Sequence, residues 1–262
     1  MSYKLSPSKL NTLVDCERCF YLDVKEHIPL PRGHFPSLPC GMDQKIKKIY
    51  DEHRAAGTLP TELAHFTEAR LFENQKQLDI WRDNFLGLRW HGQHGNILSG
   101  AIDDLIIEKE KLVIVDYKTR GWPLKDKNTI PHYYENQLHL YKLLGEKNNL
   151  PMADYGHLIF WTPDAQNGAI AFNREVKTIA LSTPKAKELL KYALTVLSQD
   201  TLPKPGKECQ HCSRYRRVER VMKCYETRAA QTTPPKPPLT LPPSTEPHPP
   251  EHPTSTEHGN AA

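Results

Sequence analysis

Two apolar runs, residues 101–107 and 112–115, are separated only by the charged tetrapeptide Glu108-Lys109-Glu110-Lys111. Short runs rich in Ile, Leu and Val with a polar break predict the two strands of a hairpin. Turning about the centre of that tetrapeptide sets Asp103 opposite Asp116, Leu105 opposite Ile114 and Ile107 opposite Leu112. Side chains alternate along a strand, so Asp116 and Lys118 share one face while Tyr117 points to the other. Facing carboxylates then have Cβ atoms roughly 5 Å apart. Burying both is costly unless a cation neutralises them, so the pattern itself asks for a metal. Asp104 points to the opposite face and is expected to be structural.

The rest of the chain alternates between helical and strand periodicity. Ser6-Pro7 opens a first helix as N-cap and first helical residue, with Leu10, Leu13, Cys16 or Glu17, and Phe20 at helical spacing. Residues 28–39 hold four prolines and predict a loop; a second helix runs from Gly41 to about Ala56, ended by Gly57. Residues 61–85 read as helical in pieces, 74–85 most clearly. Residues 86–92 alternate as a strand, followed by a turn over 93–96. Residues 131–144 predict a helix with Tyr134, Leu138 and Tyr141 on one side. Residues 155–162 and 169–179 predict two further strands, and Thr183-Pro184 opens a helix to about Leu197. Pattern alone gives an α/β or α+β class.

Composition adds a boundary. Of 23 prolines in 262 residues, ten lie between Pro234 and Pro253, among Thr, Ser, Glu and His, which predicts a disordered Pro-rich tail over 229–262 after a folded region over 1–228. The net charge of +4 is unevenly spread: the tail carries one Lys against three Glu, leaving the body at +6, a moderate value that allows a nucleic-acid partner without demanding one. No run approaches the ~18–20 apolar residues of a membrane span, and MSYKLSPSKL lacks the apolar core of a secretory signal. A cytoplasmic location without membrane contact is expected, so the six cysteines read as ligands or free thiols rather than disulfides.

Three motifs stand in order with short gaps: Gly100-Ala101-Ile102-Asp103, Val115-Asp116-Tyr117-Lys118-Thr119, and Gln137-Leu138-His139-Leu140-Tyr141. Together they resemble the PD-(D/E)XK nuclease superfamily, and within it the RecB-type branch that includes the exonucleases of CRISPR adaptation. The resemblance reaches from about Ser6 to about Tyr215. It implies a restriction-endonuclease-like αβββαβ core, a mixed central sheet flanked by helices. It also implies a metal-dependent deoxyribonuclease, an exonuclease acting in repair, recombination or defence. Asp103 and Asp116 would bind Mg²⁺ or Mn²⁺, with the main-chain carbonyl of Tyr117 as a further ligand. Lys118 would orient the attacking water or stabilise the transition state. Gln137 and Tyr141, i and i+4 on one helix face, would brace that lysine and contact the strand being cut. Without the third motif, the hairpin acids would equally suit a surface ion cluster.

One departure concerns the helix before the strands, where this branch carries a His or an acid as a further ligand. The stretch 41–45 puts Lys45 there, and a protonated lysine cannot bind a metal. Either Asp43 or Asp51 substitutes, or the site has one ligand fewer, or catalysis is weakened or lost. The alternative function is therefore a catalytically inactive DNA-binding or scaffold protein that retains the nuclease fold. A further alternative is a nuclease subunit working beside a helicase, since the chain has no GxxxxGK[ST] loop.

The cysteines form a second constellation. Cys16-x-x-Cys19 and Cys209-x-x-Cys212 are too far apart in sequence for a local zinc ribbon. Iron–sulfur relatives in this branch tie an N-terminal cysteine to a C-terminal group. By that resemblance Cys16, Cys19, Cys209 and Cys212 would clasp the two ends of the fold around a [4Fe–4S] cluster, with structural Zn²⁺ or plain buried thiols as the alternatives. The family pattern has one N-terminal and three C-terminal cysteines; Cys224 would be the third of these but sits far from Cys212, so Cys19 is the better fourth candidate, and Cys40 reads as a free thiol. Arg214, Arg217 and Arg220 share a helical face that suits a phosphate backbone or simply solvent. Trp122 and Trp161 are placed to stack on bases or to fill core, and His91 and His94 read as turn residues.

Overall fold

The predicted hairpin forms at the middle of a five-stranded sheet. The computed structural model describes residues 2–31, 33, 35–124, 129–166 and 168–232. Strands β5 (Asp104–Glu108) and β6 (Lys111–Thr119) pair antiparallel, with Leu105 opposite Ile114 and Ile107 opposite Leu112, the predicted register. Lys109 and Glu110 turn between them at φ of 48° and 58°, both left-handed, as a two-residue hairpin turn requires. The sheet runs β2 (Arg70–Leu71), β5, β6, β7 (Met152–Gln166), β8 (Ala169–Ala180). Only the β6–β7 pair is parallel, and helix α5 (His132–Lys147) supplies the crossover. The sheet is thus mixed, as the αβββαβ plan implies.

Residues 98–107 do not continue as one strand. Strand β4 (Ile97–Gly100) turns back onto β3 (Leu88–His91) in a separate three-stranded sheet, ordered β1 (Lys4–Leu5), β4, β3. Between β4 and β5 the Ile102 amide donates to the Trp81 carbonyl at 3.1 Å, so the ladder is interrupted and Asp103 stands where the two sheets diverge.

Both faces of β6 are buried from Leu112 to Tyr117, which explains its unbroken apolar run. Leu112 and Ile114 pack with helices α1 (Pro7–Asp15), α2 (Glu17–Val24), α5 and α6 (Thr183–Leu197). Val113, Val115 and Tyr117 pack with Ile46 and Tyr50 of α3 (Ser37–Ala56). The alternation therefore assigns Asp116 and Lys118 to the α5 side and Tyr117 to the α3 side.

Helix ends follow local chemistry. Ser6 caps α1, its hydroxyl accepting from the Lys9 amide at 3.4 Å, and Ser182 caps α6 in the same way through Lys185. Helix α3 starts a turn earlier than residue 41, because Pro39 falls in the first turn, where its missing N–H has no helical partner. It ends at left-handed Gly57, and α4 (Gln75–Arg82) starts at its cap Asn74. The single first helix expected from spacing is two, broken at Cys16, whose backbone is extended (φ −162°, ψ 104°).

The chain divides into two units, Met1–Tyr215 and Arg216–Ala262. Helix α7 (Gln210–Thr232) begins in the first; in the second, Arg216, Arg217 and Arg220 are exposed and Lys223 pairs with Glu219 at 2.8 Å. Residues 229–232, predicted to begin the disordered tail, instead continue α7, and residues 233–262 lie outside the described residues. No helix among the described residues is long and apolar enough to cross a membrane.

Candidate active site

Asp116 is 1% exposed, and apart from the Lys118 ammonium against Oδ2 neither carboxylate oxygen has a partner. Its nearest countercharge is the ammonium of Lys118, two residues along the same face. Burial pushes the Asp116 carboxyl up to about 6, although Lys118 pulls the other way; Asp103 adds to the rise. Asp103 lies one step beyond the last hairpin pair. Its Oδ2 accepts from the Tyr117 amide at 3.0 Å, while Oδ1 faces Lys47 at 3.1 Å. A pair of neighbouring acids, one of them buried with a single lysine for partner, fits a hard divalent cation by donor chemistry.

Lys118 is held on three sides. Besides Asp116, it donates to Gln137 Oε1 at 3.0 Å and lies 5.1 Å over the Tyr134 ring. Gln137 in turn donates from Nε2 to the Tyr141 hydroxyl at 2.7 Å, which fixes its amide with the oxygen toward the lysine. Burial lowers the Lys118 pKa, but Asp116 and Asp103 outweigh it and hold the ammonium above its ordinary value. Burial, with Asp116 and Asp103 nearby, holds the Tyr141 phenol far above its own. Gly100 makes this packing possible: a Cβ there would stand 2.8 Å from Tyr141 Cε1 and 3.2 Å from Leu144 Cδ1. The structure thus brings Asp103, Asp116, Lys118, Gln137 and Tyr141 together.

The residue that α3 presents to the acids is Lys47, not Lys45, which is exposed. Lys47 bridges Asp103 and Asp43, the latter at 2.8 Å. Burial lowers its pKa, yet Asp103 and Asp43 overcome that and raise it, so it is charged at neutral pH. Asp51 is committed elsewhere: both its oxygens accept from Arg82 Nη1, at 2.8 and 3.0 Å, and Arg54 joins them. That ion cluster centres on Asp104 on the other face. Fully buried Asp104 is saturated by Arg54, by Arg82 at 2.8 Å, by the Tyr117 hydroxyl at 2.7 Å and by the Leu105 amide at 2.8 Å. The two buried acids therefore differ: Asp104 is saturated by two arginines, a hydroxyl and an amide, whereas Asp116 has only Lys118.

Trp161 is core, 6% exposed, while Trp122 is 80% exposed beside Arg120, whose Nε donates to the Trp122 carbonyl at 3.3 Å. His91 is exposed at the end of β3 and His94 has φ 57° in the turn that follows, both without a role at the acids.

Cys16, Cys19, Cys209 and Cys212 converge, their sulfurs all within 4.8 Å of one another. Burial raises the Cys16 thiol, but main-chain N–H groups of Gly206 and Cys19 outweigh it and bring the pKa down to about 7; burial pushes Cys212 up to about 11. Cys40 and Cys224 stand outside this group.

A family model for the PD-(D/E)XK nuclease superfamily matches residues 41–218. No curated protein matches the chain. The matched span contains all three motifs, Gly100 to Asp103, Asp116-Tyr117-Lys118 and Gln137 to Tyr141, and the chain belongs to the PD-(D/E)XK nuclease superfamily.

Proposed function

We propose that this chain is a Mg²⁺- or Mn²⁺-dependent deoxyribonuclease of the RecB-type branch, an exonuclease that hydrolyses DNA phosphodiester bonds in repair, recombination or defence. In this view residues 1–228 work as one nuclease domain with a terminal cysteine clasp. The observation that carries the reading is Asp116, buried beside Asp103 with the Lys118 ammonium against Oδ2 as its one partner. Asp103, Asp116 and the main-chain carbonyl of Tyr117 would hold the ion. Bound there, a divalent ion supplies Lewis acidity, offsetting charge on the phosphoryl oxygens and making water a better nucleophile.

The remaining chemistry belongs to the chain. The Tyr117 amide fixes Asp103 through Oδ2 and leaves Oδ1 toward the site. Lys118, charged at neutral pH, serves as a donor to the phosphoryl oxygens and to the attacking water rather than as a base. Gln137, oriented by Tyr141, holds that ammonium in place before substrate arrives, so no reorganisation is needed during reaction. Exposed Trp122 and half-buried Arg120 offer a stacking and phosphate-binding pair for a DNA strand. A helicase or another repair or defence protein would be a separate partner.

The test is incubation of the purified chain with end-labelled and internally labelled single- and double-stranded DNA, and RNA, with Mg²⁺, Mn²⁺ or chelator. Metal-dependent cleavage lost in Asp116→Ala and Lys118→Ala supports the assignment; full activity in either variant ends it.

One observation favours a second reading. Lys47 sets a fixed positive charge between Asp43 and Asp103, where the branch carries a metal ligand. A chain that binds DNA through the same surface without cutting it, its Pro-rich tail recruiting a partner, accounts for that lysine. DNA binding without metal-dependent cleavage in the same experiment selects this reading.

A further inference from the structure

The four cysteine sulfurs are spaced as ligands of one ion, not as ligands of the cluster that the RecB-type resemblance implies. Cys19 Sγ lies 3.5 Å from Cys209 Sγ and 3.6 Å from Cys212 Sγ, and Cys16 Sγ lies 3.8 Å from Cys212 Sγ. These separations are well beyond a disulfide bond of ~2.05 Å. Four sulfurs at ~2.3 Å from a shared tetrahedral centre stand ~3.8 Å apart by geometry alone. In a [4Fe–4S] cluster each thiolate sits on its own iron at a separate corner, so the sulfurs are held apart by the width of the cluster itself. The backbone here would have to spread to admit one.

We infer that Cys16, Cys19, Cys209 and Cys212 form a closed tetrathiolate site for a single Zn²⁺ ion, whose role is to fasten the two ends of the first unit. Two C-x-x-C pairs supply a two-plus-two donor set, and four thiolates leave no open position for substrate, which marks a structural rather than a catalytic centre. Soft sulfur ligands in tetrahedral array suit Zn²⁺, which also binds such sites more tightly than Fe²⁺.

The surroundings are built for it. The Gly206 amide donates to Cys16 Sγ at 3.2 Å, the kind of outer contact that fixes a thiolate ligand. Only glycine fits there, since a Cβ would stand 2.3 Å from the Asp15 carbonyl oxygen. The break between α1 and α2 falls at extended Cys16, whose sulfur lies in the same group as that of Cys19. Leu30 packs over the group and Cys16, Cys19 and Cys212 are buried. The link joins residues 196 apart in sequence, a loop whose closure a bound ion would hold. This inference is independent of whether the acids cut DNA.

The full chain is purified from cells supplied with both iron and zinc, and bound metals and acid-labile sulfide are measured. One zinc per chain, without sulfide or visible colour, is expected. After the zinc is removed by chelation, Co²⁺ should give the thiolate charge-transfer and tetrahedral ligand-field absorption of a sulfur site at one equivalent, bleached by added Zn²⁺. The Cys19→Ser/Cys209→Ser variant should lose that zinc and the Cys40→Ser/Cys224→Ser variant should keep it. If the first variant does not fold, the Co²⁺ spectrum of the unaltered chain decides alone. Iron with sulfide, no bound metal in folded protein, Co²⁺ without sulfur absorption, or zinc retained by Cys19→Ser/Cys209→Ser would each overturn the inference.

Discussion

The Lys47 ammonium lies 3.1 Å from Asp103 Oδ1, the oxygen that a divalent ion would need under the proposed function. Like unit charges about 4 Å apart, as an ammonium and a cation sharing one carboxylate would be, repel by about 4 kcal/mol at an effective dielectric constant of about 20. Relieving a third of that repulsion corresponds to about tenfold in affinity. Lys47→Met is therefore expected to bind Mn²⁺ about tenfold more tightly in titration calorimetry. Unchanged or weaker binding would show that the lysine and the ion do not share Asp103.

Asp116→Asn is expected to abolish metal binding and to lower cleavage by at least about 10²-fold, the scale of losing one preorganised electrostatic group. The pH dependence follows from its raised pKa. Between the unfolded value of 3.8 and the folded value of about 6, the folded chain binds the extra proton. The ionised side chain thus costs stability as pH rises through about 6, and a divalent ion cancels that cost. The rise in Tm on adding Mn²⁺ should be larger at about pH 7 than at about pH 5, and the difference should vanish in Asp116→Asn.

The hairpin was legible because three independent signals agreed: β-rich runs, a charged turn and alternation that set Leu105 against Ile114. The Lys118–Gln137–Tyr141 chain was legible only through the motif order, since spacing cannot say which helix covers which strand. Lys47 was missed although a signal existed. Ile46 and Tyr50 mark the buried stripe of α3, and Asp43 and Lys47 stand three residues before them, beside it, whereas Lys45 lies on the far side. The break at Cys16 could not be read, because Leu10, Leu13 and Phe20 keep helical spacing on either side of it; the approach of Gly206 to Cys16, 190 residues away, accompanies the break.

Asp104→Asn should behave oppositely to Asp116→Asn. It removes the shared countercharge of Arg54 and Arg82, both nearly buried, and so leaves two cations short of a partner. Breaking a buried ion pair from one side costs about 3–5 kcal/mol. Urea unfolding should show a loss on that scale, while Mn²⁺ affinity of the folded fraction stays unchanged.

Gly100→Ala should displace the Tyr141 ring, because its Cβ would stand 2.8 Å from Cε1. Overpacking of this kind costs about 1–3 kcal/mol. The expected effect is a loss of stability together with weakened orientation of Lys118 through Gln137. In a Tyr141→Ala background the same substitution should cost less, and a double-mutant cycle in urea would read the coupling directly. Additive costs would mean that the glycine is required by something other than the ring.

His157 supplies an acid-sensitive element on the α3 side of the sheet. It is fully buried against Phe66, with ring centroids 4.5 Å apart, Nδ1 3.1 Å from the Thr178 hydroxyl and Nε2 without a partner. Burial drives its pKa down from 6.5 to about 4, so the folded chain holds the neutral ring. A basic group depressed by folding contributes full stability above its unfolded pKa and loses it as pH falls from about 6.5 toward about 4. The difference corresponds to roughly 3 kcal/mol. His157→Phe keeps the ring against Phe66 and removes the proton site. Urea unfolding across this range should show the acid limb of the unaltered chain flattened by about that amount in the variant. A parallel fall in both would assign the acid limb to other groups.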